Sequence, residues 1–277
     1  MSTFVARLEA RIREYSPLCV GLDPSSSTLA ACGLPDTAEG VTAFTRRVLE
    51  ASEGKVALVK PQSAYFERFG SAGWAALETT IAHARAMGVI VLLDAKRGDI
   101  DTTVEAYAQA FFNPNSKCRV DAVTVHPYLG FGALRKFMDY SVSNQGGVFV
   151  VVRSSNPEGA ALQKARMANG CSVAEHLAQS ITDYNREFEQ QQMGPVGAVV
   201  GATCADADSI TRLLPSSYIL APGVGAQGAS MVDLSLRMPA VRGRILPSVS
   251  RGIIAQGTSG AEMAGAIREL QQQARRI

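Results

Sequence analysis

The feature of this sequence that most constrains its fold is a short apolar run that recurs eight times along the chain. The runs are nearly continuous rather than alternating between apolar and polar residues. Such runs are typical of strands that are covered on both faces, as in a parallel sheet. They lie at residues 18–22, 56–60, 89–94, 120–125, 147–153, 195–201, 217–223 and 244–250.

Amphipathic segments occupy the connections between these runs, and their apolar residues recur with helical spacing. Eight strand–helix units predict an α/β fold, a (β/α)8 TIM barrel, with residues 1–277 forming a single domain. A doubly wound open sheet is the alternative, but no G-x-G-x-x-G motif follows the first run. The longest irregular stretches, 24–40 and 154–170, are expected to be active-site loops. The clearest amphipathic segments are 42–52, 72–87, 132–142, 173–192 and 260–276.

Composition narrows the class of protein. The chain is 47% hydrophobic and 19% charged, with a net charge of +2 and scattered basic residues, so we expect a large core and no nucleic-acid partner. The N-terminus is too polar for a signal peptide, and no apolar run approaches the roughly 20 residues that span a bilayer, which predicts a cytoplasmic protein without membrane contact. The five cysteines and three histidines show neither disulfide nor metal-ligand spacing, so we expect reduced thiols, no metal and no cofactor.

Polar residues cluster directly after the predicted strands. In (β/α)8 barrels the chemistry lies at the carboxyl ends of the strands, so these side chains are expected to share one rim. Charged residues follow the first three strands, and further polar or glycine-rich stretches follow later ones. The residues are Asp23, Lys60, Asp94, Lys96, Asp99, His126, Arg153–Asn156, Gly223–Gly228 and Ser250–Gly252.

The densest charge lies in the stretch VIVLLDAKRGDI, residues 89–100. Asp94 and Lys96 are two positions apart, so both side chains point the same way if the strand continues through Lys96. Lys60, at the end of the neighbouring strand, is expected beside them. A lysine held between carboxylates keeps its proton, which suits a general acid or the electrostatic stabilisation of a carbanion. The alternative is a structural ion pair with Lys60 solvated, but four charged groups at adjacent strand ends favour a catalytic array.

The loops after the seventh and eighth strands are candidates for phosphate binding. Barrels commonly bind phosphate there through backbone N–H groups. Gly223, Gly225 and Gly228 allow the backbone to approach an anion, and the guanidinium of Arg251 can bind phosphate through two hydrogen bonds. The alternative is that these glycines only make tight turns.

Together these motifs resemble the orotidine 5′-phosphate decarboxylase family, in its longer bacterial subgroup (type 2). The resemblance implies a carbon–carbon lyase that converts orotidine 5′-phosphate to uridine 5′-phosphate and carbon dioxide in pyrimidine biosynthesis, without metal or cofactor. It rests on DAKRGDI and on ordered matches at five further strand ends. The stretches are DAKRGDI at 94–100, VGLDP at 20–24, VKP at 59–61, RSSNP at 153–157, APGVGAQG at 221–228 and SRG at 250–252.

The resemblance implies catalytic roles for the charged cluster. Asp94 is expected to face the substrate carboxylate and to raise its ground-state energy by repulsion. Lys96 is expected to stabilise the carbanion left at C6 and then to protonate it. Lys60 belongs to the alternating Lys-Asp-Lys-Asp array and, with Asp23, is expected to bind the ribose hydroxyls. Stabilisation of the transition state over the ground state is what accelerates a reaction.

The resemblance also implies a homodimer with shared active sites. The last aspartate of the array, Asp99, is then expected to complete the site of the partner subunit, with Ile100 and Thr103 beside it. The residues themselves indicate only that the Gly98 turn aims Asp99 differently from Asp94, which is compatible with this arrangement.

The remaining substrate contacts are also implied by the resemblance. Gln227 and Arg251, with Gly252, are expected to bind the phosphate, and the loop of Gln227 to close over the nucleotide as a lid. Ser155 is expected to bond the pyrimidine amide. Ser154 remains open as the serine that turns inward.

Two other functions fit part of the pattern. Magnesium-dependent sugar-phosphate lyases of the same superfamily share D-x-K-x-x-D, but place a glutamate metal ligand where this sequence has Lys60. A noncatalytic phosphate-binding barrel needs the phosphate loops but neither Asp94 nor Lys96. Both observations favour the decarboxylase, and His126 is expected to pack at the rim rather than act as a base.

Overall fold

Eight parallel strands form a closed barrel in the computed structural model of the protein, which describes residues 2–188, 192–225 and 228–277. Each strand pairs with the next along the chain, and the last pairs with the first, with Cys19 opposite Ser248. The strands are β1 (Cys19–Leu22), β2 (Leu58–Pro61), β3 (Ile90–Arg97), β4 (Ala122–Val125), β5 (Gly147–Arg153), β6 (Val196–Val200), β7 (Ile219–Pro222) and β8 (Ile245–Val249).

This architecture confirms the predicted (β/α)8 barrel, because each predicted apolar run overlaps one strand. The largest difference is in β3, which continues to Arg97 although the apolar run ends at Asp94. Pairing with β4 shifts register between Leu93 and Arg97. The polar residues Lys96 and Arg97, which the hydrophobic pattern places outside the strand, therefore lie at the carboxyl end of β3.

Helices pack around the outside of the barrel with one buried face, as in the buried Phe44, Val48 and Leu49 of the long helix after β1. Among the residues that the structure describes, none of the helices has the length and hydrophobicity of a membrane span. The α-helices are α1 (Phe4–Glu14), α2 (Ser26–Ala31), α3 (Ala38–Ser52), α4 (Ala64–Glu67), α5 (Gly70–Ala86), α6 (Asp101–Phe112), α7 (Arg135–Ser143), α8 (Gly159–Gln163), α9 (Val173–Asn185), α10 (Ala207–Arg212), α11 (Met231–Arg237), α12 (Arg251–Ile254) and α13 (Gly260–Ala274).

Two stretches expected to be irregular contain helical turns. The stretch 24–40 includes α2 and the start of α3, and the stretch 154–170 includes α8. The hydroxyl of Ser25 accepts a hydrogen bond from the Thr28 N–H and so caps α2. Helices of five or six residues are too short to show a helical period, which is why the hydrophobic pattern does not predict them.

The apolar core has two parts separated by the barrel wall. Strand residues that point outward, such as Val59, pack with the helices, while alternate residues such as Leu58 fill the barrel interior. Helix α1 packs at the amino end of the barrel, where Phe4 meets Phe149 edge-on at 6.3 Å between ring centroids. Apolar side chains thus fill the amino half of the interior, and the carboxyl end is left to polar ones.

Candidate active site

The inward-facing rows of four strands end in polar side chains at the carboxyl end of the barrel. Leu58 is followed two positions later by Lys60, and Leu92 by Asp94, so the same face of each strand changes from apolar to charged. A polar layer therefore lies above the apolar interior. Its side chains are Lys60 of β2, Asp94 of β3, Thr124 of β4 and Ser248 of β8, all of them buried.

Lys60, Asp94 and Lys96 come together as the sequence predicts. Lys60 Nζ lies 3.2 Å from Asp94 Oδ2, and Lys96 Nζ lies 2.6 Å from Asp94 Oδ1. Of the two lysines, the Lys96 side chain is 48% exposed and that of Lys60 only 7%. Asp94 thus holds two ammonium groups, and one of them faces the open side of the site.

Burial and pairing act in opposite directions on these charges. Burial by itself lowers the pKa of Lys60, but the carboxylates of Asp94 and Asp23 outweigh it and hold the pKa above its ordinary value. Burial raises the pKa of Asp94, while its two lysine partners lower it, and the net pKa is about 2. Both groups are therefore charged at neutral pH, and Lys60 is a cation rather than a free amine.

Thr124 is the member of this cluster that the sequence interpretation missed. Its hydroxyl donates a hydrogen bond to Asp94 Oδ1 at 2.8 Å and accepts one from the Lys96 backbone N–H at 3.0 Å. Lys96 has a left-handed backbone with a φ of 44°, so its side chain meets Asp94 through an irregular backbone rather than by simple strand alternation. The available signal was a lone hydroxyl in the apolar run 120–125, two positions after the inward-facing Ala122.

Asp23 follows β1 and lies near this array. Its carboxylate contributes to the raised pKa of Lys60, after burial and Asp94. Within the described ranges, Asp23 Oδ1 is buried without a hydrogen-bond partner. Because buried polar atoms are nearly always hydrogen-bonded, this oxygen is available to a donor on a bound molecule.

Asp99, Ile100 and Thr103 lie outside the paired charges, at the start of α6. Asp99 Oδ1 accepts a hydrogen bond from the Ile100 N–H at 2.9 Å, and its carboxylate forms no ion pair with any residue that the structure describes. Ile100 is 50% exposed and Thr103 is also exposed. The preceding turn needs glycine, because a Cβ on Gly98 would lie 2.5 Å from the carbonyl oxygen of His126, which packs at the rim. Because Ile100 and Thr103 are exposed and Asp99 has no ion pair with the described residues, these three side chains can meet another surface.

A buried arginine fixes the loop after β5. Arg153, which is 6% exposed, donates from Nε to both carboxylate oxygens of Asp206 at 3.1 Å and from Nη1 to Gln163 Oε1 at 3.1 Å. Gln163 donates in turn to the Ser154 hydroxyl at 2.8 Å. The Ser155 hydroxyl forms no hydrogen bond with the residues described. This favours Ser155 over Ser154 as the serine available to a ligand.

The glycine-rich loop after β7 has backbone conformations that glycine permits. Gly223, Gly225 and Gly228 have φ values of 105°, 75° and 85°, in the region that other residues rarely adopt. The Gly225 N–H donates a hydrogen bond to the Ala229 carbonyl at 2.8 Å and closes the base of the loop. Glycine is therefore the residue type that suits these three described positions.

The loops after β7 and β8 approach each other at the rim. A Cβ on Gly225 would lie 4.0 Å from the Cα of Gly252. The neighbouring Arg251 is exposed and has no ion pair with the residues that the structure describes. Gln227, the expected lid residue, lies outside the described residues. In the described parts of the two loops, the backbone at Gly225 thus lies near Gly252, the residue next to Arg251.

The described residues of this rim bring together no cluster of metal-ligating side chains. In residues 2–188, 192–225 and 228–277, no group of three or more histidine, cysteine, aspartate or glutamate residues could hold a metal ion. All five cysteines are free thiols. Cys19 lies in the barrel interior, where burial raises its pKa to about 12 despite the nearby Lys60, so this thiol is uncharged at neutral pH.

Known proteins resemble this chain over nearly its whole length. The profile of the family described as orotidine 5′-phosphate decarboxylase / HUMPS matches residues 16–266. Orotidine 5′-phosphate decarboxylase of Salinispora arenicola (strain CNS-205) is 47% identical over 266 residues, which cover 96% of this chain and 95% of that protein. A crystal structure from Streptomyces avermitilis matches with a TM-score of 0.95 and 42% identity, over 100% of this chain and 96% of that one. Leishmania donovani OMP decarboxylase matches with a TM-score of 0.78 and 31% identity, over 100% of both chains.

Proposed function

The chain belongs to the orotidine 5′-phosphate decarboxylase / HUMPS family, and we propose that it decarboxylates orotidine 5′-phosphate at the rim of the barrel, with Lys60, Asp94 and Lys96 as the catalytic residues. The reaction yields uridine 5′-phosphate and carbon dioxide, a step of pyrimidine biosynthesis. One observation carries the proposal: a buried carboxylate lies between two ammonium groups at 3.2 and 2.6 Å, and one of these faces the open side of the site.

The difficult part of this reaction is the charge left behind on the pyrimidine. Breaking the bond between C6 and the carboxylate leaves an electron pair on C6, and stabilising that pair lowers the barrier. In our proposal Asp94 lies against the substrate carboxylate, so that repulsion disfavours the bound ground state. Lys96 stabilises the carbanion, donates its proton to C6 and takes up a new proton from solvent. Charges already held in position need little reorganisation during the step.

Lys60 keeps Asp94 ionised next to a second carboxylate. Its ammonium binds Oδ2, while Lys96 binds Oδ1, so each oxygen has its own cation. The raised pKa of Lys60, which Asp94 causes against the effect of burial, means that this lysine retains its proton. With Asp23, whose Oδ1 is buried and without a partner in the described residues, Lys60 would also bind the ribose hydroxyls.

The rest of the nucleotide is bound by the later loops in this proposal. Ser155, whose hydroxyl is not used within the described loop, bonds the pyrimidine amide. Arg251 and the backbone at Gly252 bind the phosphate, with Gln227 contributing from the lid. A charged hydrogen bond of this kind to phosphate is worth about 1.5–3 kcal/mol.

We also propose that the protein is a cytoplasmic homodimer that takes a small-molecule substrate and no nucleic acid. Asp99 forms no ion pair within the described chain and is followed by the half-exposed Ile100. Asp99, Ile100 and Thr103 would therefore complete the active site of the partner subunit. Free thiols at all five cysteines suit a reducing compartment.

The test of the reaction uses orotidine 5′-phosphate with EDTA present, followed by the loss of ultraviolet absorbance as uridine 5′-phosphate forms. We expect turnover in EDTA, because Lys60 stands where the magnesium-dependent lyases have a metal ligand, and its charge repels a divalent cation. Activity only on a sugar phosphate and only with magnesium would contradict the proposal. Nucleotide binding without any turnover would support a noncatalytic barrel instead.

The test of the shared site mixes two inactive variants, Lys96→Ala and Asp99→Ala. In a heterodimer one of the two sites carries both substitutions and the other carries neither, so we expect partial recovery of activity. Each variant alone, incubated under the same conditions, is the control. No recovery after verified subunit exchange would place Asp99 in the site of its own chain.

A further inference from the structure

Thr124 lies beneath the catalytic array and has no part in the proposed chemistry. We propose that Thr124 is a positioning residue whose hydroxyl fixes the Lys96 backbone and the Asp94 carboxylate relative to each other, an inference that rests on the proposed decarboxylation. Thr124 is 1% exposed, and its oxygen lies 2.8 Å from Asp94 Oδ1 and 3.0 Å from Lys96 N.

The neighbours of this hydroxyl fix which atom donates and which accepts. A backbone N–H can only donate, so the Thr124 oxygen accepts from Lys96 through a lone pair. The carboxylate of Asp94 can only accept, so it receives the hydroxyl proton. One hydroxyl therefore links the backbone of one catalytic residue to the side chain of the other, in a single orientation.

The Lys96 backbone depends on this contact because it departs from regular strand geometry. Its φ is 44°, in a left-handed region that residues with a side chain rarely adopt and that surrounding contacts must hold. The register of β3 against β4 shifts between Leu93 and Arg97, and in this shifted segment the Lys96 N–H donates a hydrogen bond to the Thr124 hydroxyl. Thr124 thus sets the point from which the Lys96 side chain leaves the strand.

The same hydroxyl also orients the carboxylate. Asp94 Oδ1 receives the Lys96 ammonium at 2.6 Å and the Thr124 hydroxyl at 2.8 Å. Without the hydroxyl, the one described partner left on Oδ1 is the long and exposed Lys96 side chain, and the carboxylate can turn about its contact from Oδ2 to Lys60. A displacement of the carboxylate then displaces the ammonium, and a misplacement of about 1 Å can cost roughly 100-fold in rate.

Threonine at this position offers a matched pair of substitutions. Thr124→Val keeps the shape and the restricted side-chain rotamers of a β-branched residue but removes both hydrogen bonds. Thr124→Ser keeps the hydroxyl. Thr45→Val is the control for losing a buried hydroxyl elsewhere, because Thr45 is also 1% exposed and its hydroxyl lies 2.9 Å from that of Thr80 in the α3–α5 contact.

The experiment measures kcat and KM for orotidine 5′-phosphate, the Kd of uridine 5′-phosphate and the exchange rate of the Lys96 amide in each variant. For Thr124→Val we expect kcat to fall by about 100-fold, with KM and Kd nearly unchanged because the ribose and phosphate contacts remain. Amide exchange at Lys96 should accelerate, since its acceptor is gone. Thr124→Ser should retain most of kcat and the slow exchange, and Thr45→Val should retain kcat despite a lower Tm.

Several outcomes would overturn the assignment. These are a Thr124→Val enzyme with wild-type kcat, equal losses in Thr124→Ser and Thr124→Val, or a loss confined to KM. If Thr124→Val does not fold, Thr124→Cys takes its place, because a thiol of similar size is a weaker hydrogen-bonding group, and full kcat in that variant would also overturn it. A wild-type protein inactive on orotidine 5′-phosphate defeats the proposed function instead, and unchanged Lys96 exchange in Thr124→Val then defeats the positioning role separately.

Discussion

Two parts of the rim handle charge in opposite ways. At the ends of β2 and β3, Lys60 and Asp94 are buried and form an ion pair with each other. In the loops after β7 and β8, left-handed glycines lie beside the exposed Arg251, which has no ion pair with the residues that the structure describes. The first region is organised by its own side chains, and the second by its backbone.

The difference has a physical cause. A buried charge is stable only with a partner, so the array is part of the fold as well as of the chemistry. The glycines of these loops have no side chains to pair, and the exposed Arg251 has no ion pair with the described residues, so these polar groups are open to a ligand. We therefore expect substitutions in the array to act on kcat and stability, and substitutions in the loops to act on affinity.

The largest expected effect comes from removing the exposed cation of the array. Lys96→Ala loses both carbanion stabilisation and the proton donor, so we expect kcat to fall by roughly 10⁴-fold or more. The barrel should remain folded, because that side chain is 48% exposed. Turnover and circular dichroism measure the two effects. Lys55→Ala, at the amino end of β2, is the control for losing a lysine, and near-normal turnover in Lys96→Ala would contradict the proposed role.

The phosphate loops should respond in affinity rather than in rate. Arg251→Ala removes a charged hydrogen bond, so we expect the binding free energy of uridine 5′-phosphate to weaken by about 1.5–3 kcal/mol. Titration calorimetry measures this, and uridine without phosphate should bind both proteins equally. Arg212→Ala, which removes an exposed arginine paired with Asp208, is the control. An unchanged affinity for the phosphate in Arg251→Ala would place the phosphate site elsewhere.

Acid should remove the stability that the array contributes. Burial raises and the two lysines lower the pKa of Asp94, from an ordinary value of 3.8 to about 2 in the folded protein. Because the folded pKa is the lower one, this stability is present above about pH 4 and is lost as the pH falls towards 2, and it amounts to about 2 kcal/mol.

Urea unfolding of the wild type and of Asp94→Asn between pH 5 and pH 2 separates the contribution of Asp94 to the free energy of unfolding from that of the other carboxylates. The difference in unfolding free energy between the two proteins should shrink by about 2 kcal/mol as the pH falls. A difference that does not change with pH would mean that folding does not shift the pKa of Asp94.

The smallest expected effect distinguishes the two serines after β5. Ser155→Ala should weaken binding of the nucleotide by about 0.5–1.5 kcal/mol, because its hydroxyl is the one not bonded within the described loop. Ser154→Ala should change affinity less and lower Tm, since Ser154 is bonded to Gln163 at 2.8 Å. Kd measurements on both variants decide between them, and a larger loss in Ser154→Ala would reverse the assignment.

Much of the site follows from sequence periodicity. Eight apolar runs predict the barrel, and the carboxyl ends of parallel strands share one edge, so Asp23, Lys60 and Asp94 are expected on one rim. Side chains two positions apart on a strand share a face, which also places Asp94 in line with the interior Leu92. These inferences succeed because each depends on one strand at a time.

Other features depend on contacts between distant segments and could not be predicted. The bond from Thr124 to Lys96 depends on the register of β4 against β3. The choice between Ser154 and Ser155 depends on Arg153 and Gln163, which are brought together by the folding of the β5 loop. A hydrogen bond is sensitive to a few tenths of an ångström, and a hydrophobic pattern contains no information at that scale.

The sequence by itself determined the barrel and the identity of the charges at its rim, because both follow from alternation along single strands and from the direction in which parallel strands run. The tertiary structure alone decided how those charges are held. Lys96 reaches Asp94 from a left-handed backbone that Thr124 binds from the neighbouring strand. Burial then makes a charged partner necessary for Lys60 and Asp94, since an unpaired charge in the barrel interior is costly on the scale of the stability of a fold.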